Sequence, residues 1–281
     1  MKKTIKRLIA SALALLTLSL TACGNTAGDA SADGKTIVKV GVVGEYNEQW
    51  NTINELLAKD NIQVELVKYT DYVAPNRALN DGDIDLNAYQ HKAFLANDIE
   101  KMNYEITDIG DTIIAPLAIF NNKDKISSVE DIKDGDVIAI PSDLTNGGRA
   151  LKLLEAAGLI VCDPAKGYVP TKADITEYKV DIEIMEADSA TLGNLLPDCA
   201  AAIINGGNAF TAGLNPVKDS IFIENVDPET NQGVAQLVNV IAARTEDVEN
   251  EVYKKVVAAY QSEEARKTIE EAYQGAFICA W

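Results

Sequence analysis

The sequence predicts an α/β fold of two lobes with a ligand cleft between them. Three observations lead to it. Strand and helix patterns alternate along the body of the chain, the middle segment holds enough apolar strands for a core of its own, and the last strand and two helices carry too little sheet to stand alone. The tail therefore rejoins the first unit, and open α/β sheets bind ligands outside the carboxyl ends of their strands. The expected divisions are a signal segment over 1–22, a flexible tether over 23–35, a first lobe of 36–119 plus 237–281, and a second lobe of 120–236.

The chain opens on Lys2, Lys3, Lys6 and Arg7, and an uncharged run rich in Leu, Ala, Ser and Thr follows over 8–22. That run is shorter than the roughly 20 residues a permanent membrane helix needs, and it ends in Leu20-Thr21-Ala22-Cys23. It reads as a secretory signal. The small residues before a cysteine look like a bacterial lipobox, which implies cleavage before Cys23 and a diacylglyceryl thioether plus an amide-linked acyl chain such as palmitate at the new terminus. Two hydrophobic attachments suffice for stable anchoring where one does not. Residues 24–35 include no large apolar side chain, so they are read as a tether.

The body begins with the β-branched run 37–43, and Trp50, Ile53, Leu56 and Leu57 then recur at helical spacing. Residues 62–67 alternate as a strand. Pro75 suits a first helical turn, Gly82 ends that helix, and 84–86 reads as a short strand, which completes a β-α-β-α-β rhythm typical of a parallel sheet. The periodicity assigns no element between Leu95 and Phe120. A second unit starts after Lys125 with a short helix at 129–132 and a strand at 137–140, followed by a helix carrying Ala150, Leu153, Leu154 and Ala157 on one face and stopped by Gly158. Strands are expected at 180–184, 200–204 and 220–223, with short helices at 190–195 and 208–214. The tail supplies a strand at 237–242 and helices at 249–260 and 262–273.

Asp and Glu number 43 against 25 Lys and Arg, a formal charge of -18 that loss of the basic signal makes more acidic still. Nucleic-acid binding is disfavoured, because phosphate neutralisation needs a basic face. Besides Cys23 there are Cys162, Cys199 and Cys279, without the spacing of a zinc site or a CxxC motif; they are read as thiols, with a Cys162 to Cys199 bridge left open. Gly28 and Gly34-Lys35-Thr36 imitate a phosphate loop, but five residues separate the glycines and no strand precedes them. Asp81, Asp83, Asp85 and Asn87 imitate a calcium loop, yet Leu86 and Lys92 stand where Gly and a bidentate Glu belong. His91 is the one histidine, so His-based metal clusters are excluded, and neither metal nor cofactor is expected.

A free amino acid presents a carboxylate, an ammonium and a side chain. Its site needs a cation or helix N-terminus, oxygen acceptors and a matched pocket. The run from Pro141 to Arg149 follows a strand and opens a helix; its glycines admit close backbone approach, and Arg149 is suited to clamp a carboxylate. Tyr72 and Tyr89 sit at strand-to-helix corners, where rings enclose a polarizable thioether at about 0.3 to 1.5 kcal/mol per contact. His91 is placed to hydrogen-bond the carboxylate and Asn205 to accept from the ammonium. Each residue also has a plainer reading, as lobe packing for the tyrosines and as a turn residue for Asn205.

Several stretches occur together in one order: Asp71-Tyr72 before Pro75-Asn76, Gly82-Asp83-Ile84-Asp85 with Asn87, Tyr89-Gln90-His91, Ile140-Pro141 leading into Thr145-Asn146 and Gly148-Arg149-Ala150-Leu151, and Ile204-Asn205 before Ala212-Gly213-Leu214. They resemble the methionine-binding lipoproteins of the NlpA/MetQ family, over nearly the whole chain. The resemblance implies a two-lobed fold of the type II periplasmic-binding-protein kind, and L- or D-methionine in the cleft. It implies Tyr72, Asn76, Tyr89, His91, Asn146, Arg149 and Asn205 as ligand contacts. It further implies a monomer, anchored by lipid outside the bacterial cell membrane, that docks onto an ABC permease driven by a cytoplasmic ATPase, with no enzymatic step. The chain departs from the family pattern over 44–50, at Phe120 and at Asn208, which keeps a different amino acid or a short peptide in view as ligand. A surface interaction protein on the same fold and an enzyme using His91 as base are the readings from other classes.

Overall fold

The computed structural model describes residues 34–231 and 233–281; the signal segment, Cys23 and the tether as far as Asp33 lie outside the described residues. The chain begins with β1 (Thr36–Val43), α1 (Gln49–Leu57), β2 (Ile62–Tyr69), α2 (Ala74–Asp81), β3 (Leu86–His91), α3 (Lys92–Met102) and β4 (Ile106–Ile114). It then crosses into β5 (Leu117–Asn121), β6 (Val137–Pro141), α4 (Leu144–Ala156), β7 (Ile160–Cys162), β8 (Ile175–Tyr178), β9 (Glu183–Ala187), α5 (Leu192–Leu195), β10 (Ala201–Asn205), α6 (Gly206–Thr211) and β11 (Ser220–Ile223). It returns through β12 (Val238–Arg244), α7 (Glu251–Tyr260), α8 (Glu263–Tyr273) and β13 (Ile278–Cys279).

Two main sheets result, ordered β13-β4-β12-β3-β1-β2 and β11-β5-β10-β6-β9. The first is mixed where a parallel sheet was expected: β1 pairs parallel with β2 and β3, but β12 enters antiparallel to β3 and β4. The reversal follows from the chain path, since β12 comes back from the other lobe and meets β3 head to tail. All of β5 pairs with β10 and β11 in the second sheet, so the boundary expected between 119 and 120 falls inside a strand, and the outward crossing is at Ala115-Pro116.

Period-two alternation explains how each sheet is covered on both faces. Val38, Val40 and Val42 pack with Trp50, Ile53, Tyr253, Val256 and Ile269 under α1, α7 and α8, while Leu79, Ile84, Leu95 and Val240 fill the opposite face under α2 and α3. In the second lobe Leu117 and Ile119 face α4 through Leu153 and Leu154, and their neighbours Ala118 and Phe120 face Leu192 of α5. Full burial of one such branched side chain contributes about 1.5–3 kcal/mol.

Several local boundaries move for stated reasons. The strand expected at 84–86 runs from Leu86 to His91, because the Asp85 carboxylate turns away to accept the Lys39 backbone N–H at 2.8 Å and the Tyr253 hydroxyl at 3.2 Å. The strand expected at 180–184 begins at Glu183, since a tight Ile182 to Val180 backbone bond of 2.8 Å closes a turn first. The short helices settle at Leu192–Leu195 and Gly206–Thr211. Cys162 and Cys199 are buried free thiols in separate apolar clusters, so the bridge left open by the sequence is not formed.

Candidate ligand-binding cleft

A cleft with a cavity volume of about 100 Å³ lies between the two sheets. Tyr72, Tyr89, His91, Asn146, Arg149 and Asn205 all line it, so six of the seven residues singled out from the sequence come together. They arrive from both lobes: Tyr72 follows β2, Tyr89 and His91 belong to β3, Asn146 and Arg149 to the first turns of α4, and Asn205 ends β10.

Asn76 does not join them. It is fully buried in α2, where its Nδ2 donates to Gln90 Oε1 at 2.8 Å and to Asp98 Oδ2 at 2.9 Å, and its Oδ1 accepts from Asn87 at 2.9 Å and Gln90 at 2.5 Å. Every donor and acceptor of that amide is used, and the expected ligand contact is replaced by a brace under β3. Burial raises the Asp98 carboxyl above its usual range against the lowering effect of Asn76.

The start of α4 differs from its sequence reading in two ways. The Asp143 carboxylate caps the helix, accepting from Asn146 N–H at 2.9 Å and Thr145 hydroxyl at 3.0 Å, so the positive end of the helix already holds its own anion. Gly147 and Gly148 serve protein packing: a Cβ on the first would lie 2.9 Å from Pro141 O, and on the second 2.8 Å from Tyr168 O. The helix can therefore press its first turns against the end of β6 and the loop at 168–169.

Arg149 is 4% exposed and paired with a residue the sequence did not suggest. Its Nε donates to Glu224 Oε1 at 3.1 Å and its Nη2 to Glu224 Oε2 at 2.5 Å, with a longer 3.4 Å contact from Nη2 to Ala115 O. Glu224 Oε2 also accepts the Leu117 backbone N–H at 3.0 Å. This two-pronged grip uses the Nε and Nη2 side of the guanidinium. Arg149 itself lines the cleft.

His91 is also engaged at both nitrogens. Nδ1 accepts the Phe94 backbone N–H at 3.0 Å, which makes Nε2 the protonated nitrogen, and Nε2–H donates to Asn146 Oδ1 at 3.2 Å across the lobes. Asn205 Nδ2 donates to the same Oδ1 at 2.8 Å, and Asn146 Nδ2 returns to Asp143. His91 orients Asn146, and both residues line the cleft. Burial first, and the nearby Arg149 charge second, push the His91 pKa down from 6.5 to about 3.

This has a consequence for acid stability. Below about 6.5 the unfolded chain takes up a proton that the folded His91 refuses, so the contribution is intact above 6.5 and is lost as pH falls toward 3. The expected slope from this group is about 1.4 kcal/mol per pH unit inside that window. Urea melts of the parent and of His91→Gln at pH 7, 5 and 4 check it: the parent should lose more stability than the variant on acidification, and parallel losses would contradict the assignment.

On the first-lobe side Tyr72, Tyr89 and Phe94 form an aromatic wall, with ring centroids 5.9 Å apart for Tyr72 and Tyr89 and 6.0 Å for Tyr72 and Phe94. Burial raises the hydroxyl pKa of both tyrosines. The Tyr89 hydroxyl donates to Tyr72 O at 2.8 Å, and Asn208 Nδ2 reaches over from α6 to the Tyr72 hydroxyl at 3.1 Å. One polar atom of the cleft is left over: Asn205 Oδ1 is buried with no hydrogen-bond partner. An orphaned buried acceptor is costly, and this one belongs to a residue that lines the cleft.

The family model described as NlpA lipoprotein matches residues 38–281 of this sequence. The chain belongs to the NlpA lipoprotein family. Among its relatives, the D-methionine-binding lipoprotein MetQ of Salmonella typhimurium is 37% identical over 268 residues, 94% of each chain. A nutrient binding protein from Burkholderia cenocepacia, solved bound to methionine, superposes with a TM-score of 0.80 at 34% identity, covering 87% of this chain and 100% of that one. The substrate binding protein of a methionine transporter from Streptococcus pneumoniae gives 0.81 at 34% identity, covering 87% and 96%. The two-sheet architecture of this NlpA lipoprotein family member is that of two-lobed substrate-binding proteins.

Among the residues of this family member that escaped the sequence reading are Asn239 and Phe94, which line the cleft, and Glu224, which holds Arg149. Asn239 lines the cleft from β12, directly across the ladder from His91, and its signal was present as a lone polar residue in the apolar run Leu237 to Ala242. Phe94 lies three residues after His91 and was not assigned a role. Glu224 had no local signal, because its partner Arg149 lies 75 positions away in sequence.

Proposed function

We propose that this chain is the lipid-anchored receptor of an ABC importer, held outside the cell membrane through Cys23, and that it encloses methionine between its lobes for delivery to a permease driven by a cytoplasmic ATPase. The observation that carries the reading is the meeting, in one cleft, of a fixed guanidinium, an unpartnered buried oxygen and an aromatic wall. A ligand carboxylate takes hydrogen bonds from the Arg149 guanidinium. The ammonium donates to Asn205 Oδ1, with the Asn239 amide beside it. The thioether lies against Tyr72, Tyr89 and Phe94, where each sulfur-aromatic contact contributes about 0.3–1.5 kcal/mol. His91 and Asn146 hold the polar end in place from opposite lobes.

The methionine named in relatives and the bound methionine of a solved neighbour support the choice of ligand. The basic start, apolar run and small residues before Cys23 support the anchor. Closure of the lobes over the ligand excludes water, which strengthens the carboxylate pairing and presents a ligand-dependent shape to the permease.

Calorimetry with L- and D-methionine, after native mass spectrometry of the protein as purified, tests the reading. One methionine per chain, or a co-purified mass equal to methionine, is the expected result. Heat-silent titrations with both enantiomers together with a protein free of any retained ligand would remove methionine as the cargo.

A further inference from the structure

We propose that Glu224 is a specificity-determining residue: by neutralising Arg149 from behind, it makes the cleft select an electrically neutral zwitterion and reject a ligand that brings only a carboxylate. The inference rests on the reading of the cleft as an amino-acid site and goes beyond it, since a carboxylate clamp alone would be served better by an unpaired arginine.

The argument begins with the charge inventory. Among the described residues lining the cleft, Arg149 carries the only fixed positive charge, and His91 contributes none because it is held neutral. Glu224 places both carboxylate oxygens on that one guanidinium at 3.1 and 2.5 Å, its side chain being 12% exposed. A second carboxylate, Asp143, stands at the start of α4 and bonds to Asn146. The cleft thus has no surplus positive charge with which to hold an anion.

A ligand of zero net charge interacts with this arrangement through its dipole, carboxylate toward Arg149 and ammonium toward Asn205 Oδ1. An anion of the same size feels the repulsion of Glu224 through the guanidinium it holds, in a site of low dielectric, with no ammonium to offset it. Changing Glu224 by one charge therefore alters anion affinity to first order and zwitterion affinity only through the difference between its two ends. Geometry adds a positioning role: the grip on Nε and Nη2, with Glu224 itself anchored by Leu117 N–H, fixes the orientation of the guanidinium at the edge of the cleft.

The test compares methionine with 4-(methylthio)butanoate, the same molecule without its ammonium, on the full folded chain by calorimetry. The parent should prefer methionine strongly. In Glu224→Gln, which keeps an oxygen for Leu117 N–H and one bond to Arg149, the preference should narrow by roughly tenfold or more through a gain for the anion, whereas Glu224→Asp should keep most of it. A merely structural role would weaken both ligands in proportion and leave their ratio unchanged, which overturns the proposal. Should Glu224→Gln not fold, the parent alone still decides: an anion bound as tightly as methionine overturns the proposal while leaving methionine as cargo. A parent that binds neither compound overturns both readings together.

Discussion

Replacing Arg149 by alanine is expected to abolish detectable methionine binding and to destabilise the fold at the same time. Two separate losses combine. The ligand carboxylate loses its cation, and Glu224, mostly buried and held by two bonds to the guanidinium, is left as an uncompensated interior charge. Breaking one side of such a pair costs about 3–5 kcal/mol, which for a protein of this size lowers the melting midpoint by on the order of 10 °C. The two losses are separable. A double variant, Arg149→Met with Glu224→Leu, replaces the pair by apolar groups, and its melting midpoint should recover because such exchanges are commonly neutral or stabilising. Its methionine binding should not recover. Thermal melts and calorimetry on both variants provide the check, and near-parental affinity in either would rule out Arg149 as the carboxylate partner.

The second large effect is expected at Phe210. This ring belongs to α6 of the second lobe, yet it is buried in the aromatic core of the first, with centroids 5.7 Å from Tyr46 and 5.4 Å from both Tyr273 and Phe277. Its burial in that cluster depends on how the lobes sit together. Truncating a well-buried phenylalanine costs about 3–5 kcal/mol, and here part of that cost falls on the closed arrangement specifically. If the binding-competent form becomes a minor population, apparent affinity drops by the same fraction. Phe210→Ala should therefore weaken methionine binding by roughly tenfold to a hundredfold, with a larger radius of gyration in small-angle scattering that methionine reduces. Unchanged affinity and an unchanged radius would mean that the ring contributes nothing to closure.

Much of the fold was legible because the signals involved are short in range. Trp50, Ile53 and Leu57 fall on one face of α1 because an α-helix repeats every 3.6 residues, and the alternation of Leu117 with Ala118 follows from the pleat of a strand. The segment from Leu95 to Phe120 was not legible, and β4 shows why. It contains two aspartates and Gly110, and it is a strand because β12 and β13 flank it; Gly110 lies so close under α7 that a Cβ would approach Val257 Cγ1 to 2.5 Å. None of those partners is near in sequence. Tertiary context overrode a weak local pattern.

The candidate site divides along the same line. By itself, the sequence determined the order of strands and helices, the glycine-rich entry to α4, the corner tyrosines and a body that resembles one family from end to end, all properties of residues within a few positions of one another. Tertiary structure alone decided that Arg149 is held by Glu224, that His91 spends both nitrogens on Phe94 and Asn146, that Asn76 braces β3 from below, and that Asn239 stands beside His91. Apart from the local His91 to Phe94 bond, those pairings join elements that the chain path brings together, and His91 to Asn146 joins the two lobes. Hydrogen bonds and ion pairs act over about 3 Å, and which groups come that close is set by topology, to which local periodicity is blind.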